Sequence, residues 1–415
     1  MVLCGVAGGI GSIFKAPFGG AVFAVEVLYG RDFEVEALIP CFISSVVAYS
    51  VFSSFFGFQH VFDAPNYSFR DPLTLPLYGL LGVVCALVGR FYVGVFRWTR
   101  KMFNALAISK PFKPALGGAL LGAIAFFVPE VLETSYGWLQ MAIYEGLPIV
   151  SMLVISVAKI FATSFTIGSG GSGGVFAPSL VIGGMIGGVF GKVAKLIFPF
   201  IDFDPGSFVL VGMAAFFAGV AKVPMASIIM VSEMTGDYGL LVPLMFSCVT
   251  SYILTGKHTI YESQVPTRAE SPAHRDEFLV EVLRDMRVKD VMTGEVVTVN
   301  PEDPVTKVLE LVRLTGHLGY PVLKDGKLIG LVTYRDALRA LFTGMERAKV
   351  KDVMSRKLVV ITPEDTLDTA LHRMFIHDVG RLPVVSRDKP EKLLGIITKS
   401  DVIKAYEKAR LKVVK

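Results

Sequence analysis

Hydrophobic residues divide the chain into a long apolar part and a shorter, more polar part. Up to about residue 258, apolar positions form continuous runs rather than the alternation of half-buried strands, which predicts helices. Several runs are shorter than the roughly 20 residues that span a bilayer, and Gly or Pro interrupts them, so we expect broken or re-entrant helices. The runs are Val2–Phe14, Phe18–Tyr29, Ala37–Phe55, Leu77–Phe96, Leu116–Val128, Leu147–Phe165, Val175–Phe198, Phe208–Val220, Met225–Val231 and Leu240–Leu254.

The remaining part repeats itself. The stretch Val288–Met292 recurs as Val350–Met354, and Gly330–Asp336 recurs as Gly395–Asp401. Each copy predicts strand, helix, strand, strand, helix. In the first copy these elements are Val296–Val299, Val305–Leu314, Tyr320–Leu323, Lys327–Thr333 and Arg335–Leu341. We therefore predict an α-helical membrane domain at 1–268, a linker at 269–286, and two α/β modules at 287–344 and 345–415.

Charge follows the same division. Of 41 basic and 36 acidic residues, only 27 lie in the first 258 positions, which marks a membrane domain followed by a soluble one. The formal net charge of +5 and the absence of an arginine-rich tract exclude an obvious nucleic-acid binder. A basic segment without acidic residues follows the fourth run, and the positive-inside tendency makes it cytoplasmic. Its residues are Arg97, Arg100, Lys101, Lys110 and Lys113.

Catalytic and metal-binding patterns are not found in the sequence. The four cysteines stand in apolar stretches, without metal-ligand spacing to the six histidines, so we expect neither disulfides nor a metal site. His317, His372 and His377 of the polar part have no nucleophile and orienting carboxylate at a recognisable spacing. We interpret them as surface or packing residues and expect that the protein is not an enzyme.

One glycine-dense stretch, residues 168–174, separates two apolar runs. Backbone so poor in side chains can approach a ligand closely, and a helix starting near Phe176 would point unpaired N–H groups and its positive dipole end into the gap. Helix starts of this kind hold anions. In a soluble protein such a run is more often a linker, but at membrane depth irregular backbone is tolerated only where protein buries it or it lines a wet cavity.

An internal repeat connects distant apolar runs. Lys15-Ala16-Pro17 followed by Glu26 matches Lys222-Val223-Pro224 followed by Glu233 at an offset of 207 residues, as do Gly5 with Gly212 and Ala7 with Ala214. Repeated halves are typical of secondary-transporter folds. The counterpart of the glycine run would lie before Met1, so we expect either a truncated form or two halves less alike than they seem.

These motifs together resemble the CLC family of chloride channels and chloride/proton exchangers. Gly174-Val175-Phe176-Ala177-Pro178 fits the family's Gly-x-Phe-x-Pro anion motif, and residues 260–263 resemble its last membrane helix. The resemblance covers almost all of residues 1–268. It implies that the main-chain N–H groups of Val175 and Phe176 coordinate a dehydrated halide, with the Tyr261 hydroxyl donating from the other side. Neutral donors suit conduction, because a full positive charge would bind the ion too firmly to release it.

One position departs from the exchangers. Aligning Pro17 and Glu26 places Val27 where they commonly carry an internal proton-transfer glutamate. Valine carries no proton, which favours a passive channel, although the adjacent Glu26 is a possible substitute. The alternative for Glu26 and Glu233 is a structural role near helix ends.

The polar part resembles a pair of CBS (Bateman) modules, which often bind adenosine nucleotides such as ATP, ADP or AMP. Thr333 with Asp336, and Thr398 with Asp401, fit that family's Thr-x-x-Asp site. The aspartate would accept from the ribose hydroxyls while the threonine caps the helix facing phosphate, and Arg381 is a further phosphate candidate. Threonine and aspartate at a strand-to-helix turn are also ordinary helix caps.

The resemblances imply a voltage- or ligand-gated chloride channel. We expect a homodimer with a pore in each subunit, in the cell membrane among lipids, regulated by a cytoplasmic CBS pair. A chloride/proton antiporter of the same fold is the alternative. A divalent-cation channel fits less well because the glycine site offers no carboxylate ligands. A membrane-anchored nucleotide sensor is the fourth possibility.

Overall fold

The computed structural model describes residues 1–274, 283–345 and 347–413. The chain forms two compact units, Met1–Ser271 and Pro272–Lys415. Residues 275–282 of the predicted linker, and residues 346, 414 and 415 of the predicted second module, lie outside the described residues.

The first unit, all of which is described, is built from eleven α-helices. Four helical stretches are long and apolar enough to cross a membrane. The helices are α1 (Val2–Ile13), α2 (Pro17–Glu26), α3 (Leu38–Phe56), α4 (Leu75–Ala105), α5 (Phe112–Phe127), α6 (Tyr136–Ile143), α7 (Ile149–Gly168), α8 (Phe176–Ile197), α9 (Pro205–Ala221), α10 (Pro224–Thr235) and α11 (Leu241–Thr255). Every predicted apolar run therefore corresponds to a helix, and α6 is the additional one.

The basic segment lies beyond the fourth apolar run, which suggested a connector between helices, but the structure shows that it is largely helical. Helix α4 continues to Ala105, so Arg97, Arg100 and Lys101 lie in its last turns, and Lys113 lies in the first turn of α5. Arginine and lysine are good helix formers, and positive charge is favoured near a helix C-terminus. The hydrophobic run marked where the apolar surface of α4 ends, not where its backbone hydrogen bonding ends.

Helices α8 and α9 form the centre of the first unit. They pack closely enough that a Cβ atom on Gly183 would clash with the carbonyl of Gly212 and the side chain of Phe216. Almost every residue of α9 is buried. Close approach of two backbones through glycine is a common way for membrane helices to associate, since lipid provides no hydrophobic force between them.

The repeated segments meet through two reciprocal helix caps. The Glu233 carboxylate, near the end of α10, accepts hydrogen bonds from the N–H groups of Phe18 (3.1 Å) and Gly19 (2.7 Å) at the start of α2. The Glu26 carboxylate, at the end of α2, accepts from the two matching N–H groups at the start of α10, at 3.1 and 2.7 Å. Each helix thus ends beside the start of the other, so α2 and α10 run antiparallel.

The second unit contains two antiparallel hairpins and their helices. Strand β1 pairs with β2 and β3 with β4. Among its described residues the elements are α12 (Val305–Thr315), β1 (Gly319–Lys324), β2 (Lys327–Thr333), α13 (Tyr334–Phe342), α14 (Val350–Val353), α15 (Leu367–Ile376), β3 (Arg381–Val385), β4 (Leu393–Thr398) and α16 (Lys399–Val413). The two copies therefore share one order of elements, as the repeat predicts.

The predicted strand Val296–Val299 is wrong. Only Val299 pairs, through a single parallel bridge to Val322, while Thr293 pairs with Ile396 of the other copy. The segment divides its hydrogen bonds between the two modules, so it cannot extend along either hairpin. Segments are also exchanged in the cores, since Val288 packs with the second copy and Val350 with the first.

Candidate functional site

The glycine run connects α7 to α8 and leaves a row of amides without partners. Gly170 has a φ of +92°, and the N–H groups of Gly170 and Gly171 turn back to α7 carbonyls at 3.0 Å. Among the described residues, nothing accepts a hydrogen bond from the next six N–H groups, Ser172 to Ala177. Helix α8 starts at Phe176, and Pro178 in its first turn has no N–H to satisfy. The arrangement places unpaired donors and a positive helix end together, which is an anion-binding geometry.

Aromatic packing holds the start of α8 in place. The Phe176 side chain is buried, and its ring contacts those of Phe14, Phe23 and Phe217 at centroid distances of 4.3, 6.2 and 4.7 Å. Phe14 is the C-cap residue that follows α1, Phe23 lies in α2 and Phe217 lies in α9. The amide row is therefore fixed where helices of both repeats converge.

The predicted last membrane helix at residues 260–263 is not helical. The N–H of Ile260 donates to the carbonyl of Val220 at 2.8 Å, and the N–H of Tyr261 donates to the Thr259 hydroxyl at 3.2 Å. Bonds to a distant helix and to a neighbouring side chain replace the bonds of a helical turn. The apolar and aromatic composition of this segment does not show that its backbone bonds to distant groups and forms no helix.

Arginines of α4 hold the segment around Tyr261. The Arg97 guanidinium donates to the Thr259 carbonyl at 3.0 Å, and Arg100 pairs with Glu262 at 2.7 Å. Tyr261 itself packs against the same hydrophobic core as Val175. Thus Gly174, Val175, Phe176 and Pro178 share one turn, while Tyr261 approaches that core from a separate, irregular segment.

The two positions considered for proton transfer lie at the end of α2. The backbone carbonyl of Val27 accepts from the side-chain amide of Gln264 at 2.9 Å. Glu26 is 3% exposed, and each of its carboxylate oxygens accepts an N–H from α10. The structure therefore uses Glu26 as a helix cap.

A buried lysine adjoins the glycine run and was missed by the sequence reasoning. A cavity of about 280 Å³ is bounded by Ser172, Gly174 and Pro178 and extends to Lys159 of α7. The Lys159 ammonium donates to two carbonyls and the Ser135 hydroxyl of the loop before α6, at 2.8 to 2.9 Å. The three N–H groups of the Lys159 ammonium are thus hydrogen-bonded to other groups of the protein. A lysine inside an apolar run was the available signal.

In the second unit, both Thr-x-x-Asp pairs form helix caps. Thr333 donates from its hydroxyl to Asp336 at 2.6 Å, and the Asp336 N–H donates back at 3.3 Å. Thr398 and Asp401 repeat this geometry at 2.7 and 3.3 Å. In each pair the cap's hydrogen bonds to the carboxylate use Oδ2, so among the described residues the cap leaves Oδ1 available for a ligand.

One of the two pairs borders a cavity among the described residues of this unit. That cavity, about 420 Å³, is lined by Thr398 and Asp401 but not by the first pair. Arg381 also lines it, and burial lowers the pKa of that guanidinium from its ordinary value. His317 and Lys404 add polar groups that the sequence reasoning did not select. Among the described residues, no group of three or more acidic, histidine or cysteine side chains could hold a metal ion.

Comparisons with known proteins agree with this architecture. The family described as voltage gated chloride channel matches residues 1–256, and the CBS domain family matches 288–343 and 350–408. A putative chloride channel protein ClcB-like of Ralstonia nicotianae is 32% identical over 264 residues, 63% of this chain and 61% of that protein. The H(+)/Cl(-) exchange transporter ClcA of Vibrio cholerae is 30% identical over 269 residues, 63% of this chain and 58% of that protein.

A solved CLC-type fluoride/proton antiporter shares the fold of the first unit. It is 20% identical, with a TM-score of 0.56 over 64% of this chain and 65% of that one. The chain spans about three fifths of the length of the curated relatives it matches.

Proposed function

The chain belongs to the voltage-gated chloride channel (CLC) family and carries two CBS motifs, and from that premise we propose that it transports chloride passively across a membrane. The observation that supports this proposal is the row of unpaired N–H groups from Ser172 to Ala177. The Val175 and Phe176 amides replace part of the water around a halide, and the Tyr261 hydroxyl donates from the opposite side. All of these donors are neutral, so the ion is held and also released.

A substitution that removes one amide tests the anion site. Val175 is the N-cap of α8, and its φ of −97° is about 30° from the value of about −65° that proline fixes, so proline there requires a local backbone adjustment. We expect Val175→Pro to raise the dissociation constant for bromide about tenfold, because a hydrogen bond to a charged group is lost. Val175→Ala keeps the N–H and is the matched control. Equal binding by both variants, measured by calorimetry on purified protein, would place the halide elsewhere.

Passive conduction is favoured over proton exchange by the environment of Glu26 and Val27. Valine carries no proton, and both oxygens of the Glu26 carboxylate are occupied by N–H groups of α10. A chloride gradient imposed on proteoliposomes should therefore drive no proton movement against its gradient. Proton uptake coupled to chloride efflux would establish the antiporter instead, the activity named for the Vibrio cholerae relative.

For the second unit we propose an adenosine nucleotide, ATP, ADP or AMP, in the cavity beside Thr398 and Asp401. The free carboxylate oxygen suits a ribose hydroxyl, and Arg381 suits a phosphate. Binding regulates the pore if the nucleotide prefers one of its states. Asp401→Asn should abolish nucleotide binding. The substitution at the corresponding position of the first copy, Asp336→Asn, is the control. If loss of Asp336 instead abolished binding, the nucleotide would occupy the other copy.

Membrane orientation follows from the basic end of α4. Arg97 and Arg100 contact residues 259 and 262, shortly before the first unit ends at Ser271. Because positive charge favours the cytoplasmic side, the exit of the chain toward the CBS motifs lies there. We therefore propose a multi-pass protein of the cell membrane, in contact with lipid, with cytoplasmic CBS modules and a homodimeric assembly. Protease access to the CBS modules in sealed inside-out vesicles, but not in right-side-out ones, tests this orientation.

A further inference from the structure

Helix α4 buries a hydroxyl that completes no hydrogen bond among the described residues, although the Ser179 hydroxyl lies close to it. The Tyr92 side chain is fully buried, and its hydroxyl makes no hydrogen bond to any described residue. A buried polar group without a partner costs free energy, so it requires an explanation such as a ligand or a bound water. The sequence gives no signal for Tyr92, because tyrosine in an apolar run is ordinary.

The surroundings of Tyr92 are those of the proposed anion site. Its ring packs against Phe216 of α9 at 6.0 Å, and the next residue, Phe217, packs against Phe176 at 4.7 Å. The Ser179 side chain lies within reach of the Tyr92 hydroxyl, and Tyr261 lies close enough to interact with it electrostatically. Tyr92 therefore lies close to α8, whose first residues present the amides, and to Tyr261, whose hydroxyl is proposed to face them.

Ser179 leaves the Tyr92 proton available. Ser179 follows Val175 by four residues, about 6 Å along α8. Its hydroxyl donates to the Val175 carbonyl at 2.6 Å, so toward Tyr92 it can only accept. The Tyr92 proton can therefore point either at Ser179 or at an ion beside Tyr261.

A second buried hydroxyl without a hydrogen-bond partner among the described residues lies on the same face of α4. Thr99 follows Tyr92 by seven residues, which places it on the same side of the helix about 10.5 Å away. It is also fully buried, and its hydroxyl has no partner among the described residues. Its methyl group faces Gly168, where the glycine run begins. Thr99 is thus a second buried hydroxyl on this face of α4, separated from Tyr92 by the buried ring of Phe96.

We propose that the Tyr92 hydroxyl is a further neutral donor to the permeating halide, next to Tyr261. This proposal rests on the anion site proposed above. A phenol remains uncharged at neutral pH, so it adds a hydrogen bond without trapping the ion. Three neutral sources then surround the halide: the α8 amides, Tyr261 and Tyr92.

Removal of the hydroxyl alone tests this role. Tyr92→Phe keeps the ring packing, and we expect it to raise the bromide dissociation constant of the purified full chain about tenfold. Tyr78→Phe is the matched control: it makes the same change in the same helix, about 21 Å away, where the hydroxyl is bonded to Ser207 at 2.8 Å. That variant should bind bromide as the wild type does.

The outcomes separate this inference from the proposed function. If the wild type binds no bromide, the anion site itself fails. If the wild type binds and Tyr92→Phe binds equally well, the Tyr92 proton serves only Ser179 and the inference is overturned. Should Tyr92→Phe fail to fold, bromide-soaked wild-type crystals decide: an anomalous peak in contact with the Tyr92 hydroxyl supports the role, and a water there with bromide elsewhere refutes it.

Discussion

The reciprocal caps between α2 and α10 allow a prediction with an internal control. We consider Glu26→Gln and Glu233→Gln, which preserve side-chain size but remove the charge and one of two acceptor oxygens. In the wild type each carboxylate accepts two N–H groups, at 2.7 and 3.1 Å. The glutamine directs an NH₂ group at one of those donors, so one hydrogen bond is replaced by a contact between two donors.

The expected loss follows from the number and environment of these bonds. A hydrogen bond to a charged group contributes about 1.5–3 kcal/mol, and interaction with the helix dipole adds to it. Glu26 is 3% exposed, so solvent cannot replace the missing acceptor. We expect a loss of about 2–3 kcal/mol for Glu26→Gln. Glu233 is less deeply buried, so Glu233→Gln should lose about 2 kcal/mol.

The assay combines thermal unfolding of the detergent-solubilised protein with proton transport in proteoliposomes. Both variants should unfold several degrees below the wild type. Glu133→Gln, at an exposed carboxylate without a hydrogen-bond partner among the described residues, should match the wild type. Proton movement should not differ between Glu26→Gln and Glu233→Gln, since both residues serve as caps.

One result would refute this reasoning. If Glu26→Gln changed proton movement while leaving thermal unfolding unaltered, and Glu233→Gln did not, Glu26 would act as a proton carrier in place of the glutamate absent at Val27. The repeat would then be symmetric in structure but not in function.

The other predictions concern backbone geometry and surface charge. Gly183→Ala forces α8 away from Gly212, so it should destabilise the protein by about 1–3 kcal/mol. Gly122 has open space around it, so Gly122→Ala should not destabilise the protein. Thermal unfolding of the two variants compares these effects. Gly170→Ala should lose about 1–2 kcal/mol through its φ of +92° alone, because no neighbour obstructs a Cβ atom there; an undiminished unfolding temperature would contradict this. Hydrogen bonds from two lysines lower the pKa of Glu302 from 4.5 to about 2. The stability difference between wild type and Glu302→Gln should therefore be present above pH 4.5 and disappear as the pH falls toward 2, measured by thermal unfolding across that range.

The sequence alone determined most of the helices and the division between the apolar and the polar part of the chain. Continuous apolar runs predicted the membrane helices, and the two tandem copies predicted the order of the second unit. The glycine run with Phe176 and Pro178 predicted where α8 begins. These features depend on residues close together in the chain, so local periodicity and composition are sufficient to identify them.

Tertiary structure alone decided which groups meet. Glu26 and Ala226 are 200 residues apart, and no local pattern states that one caps the helix of the other. The irregular backbone at Tyr261 depends on arginines of α4, and the lost strand at residues 296–299 depends on pairing with two different modules. A hydrogen-bonding group takes whichever partner the packed helices bring within 3 Å, and that distance is a property of the whole fold.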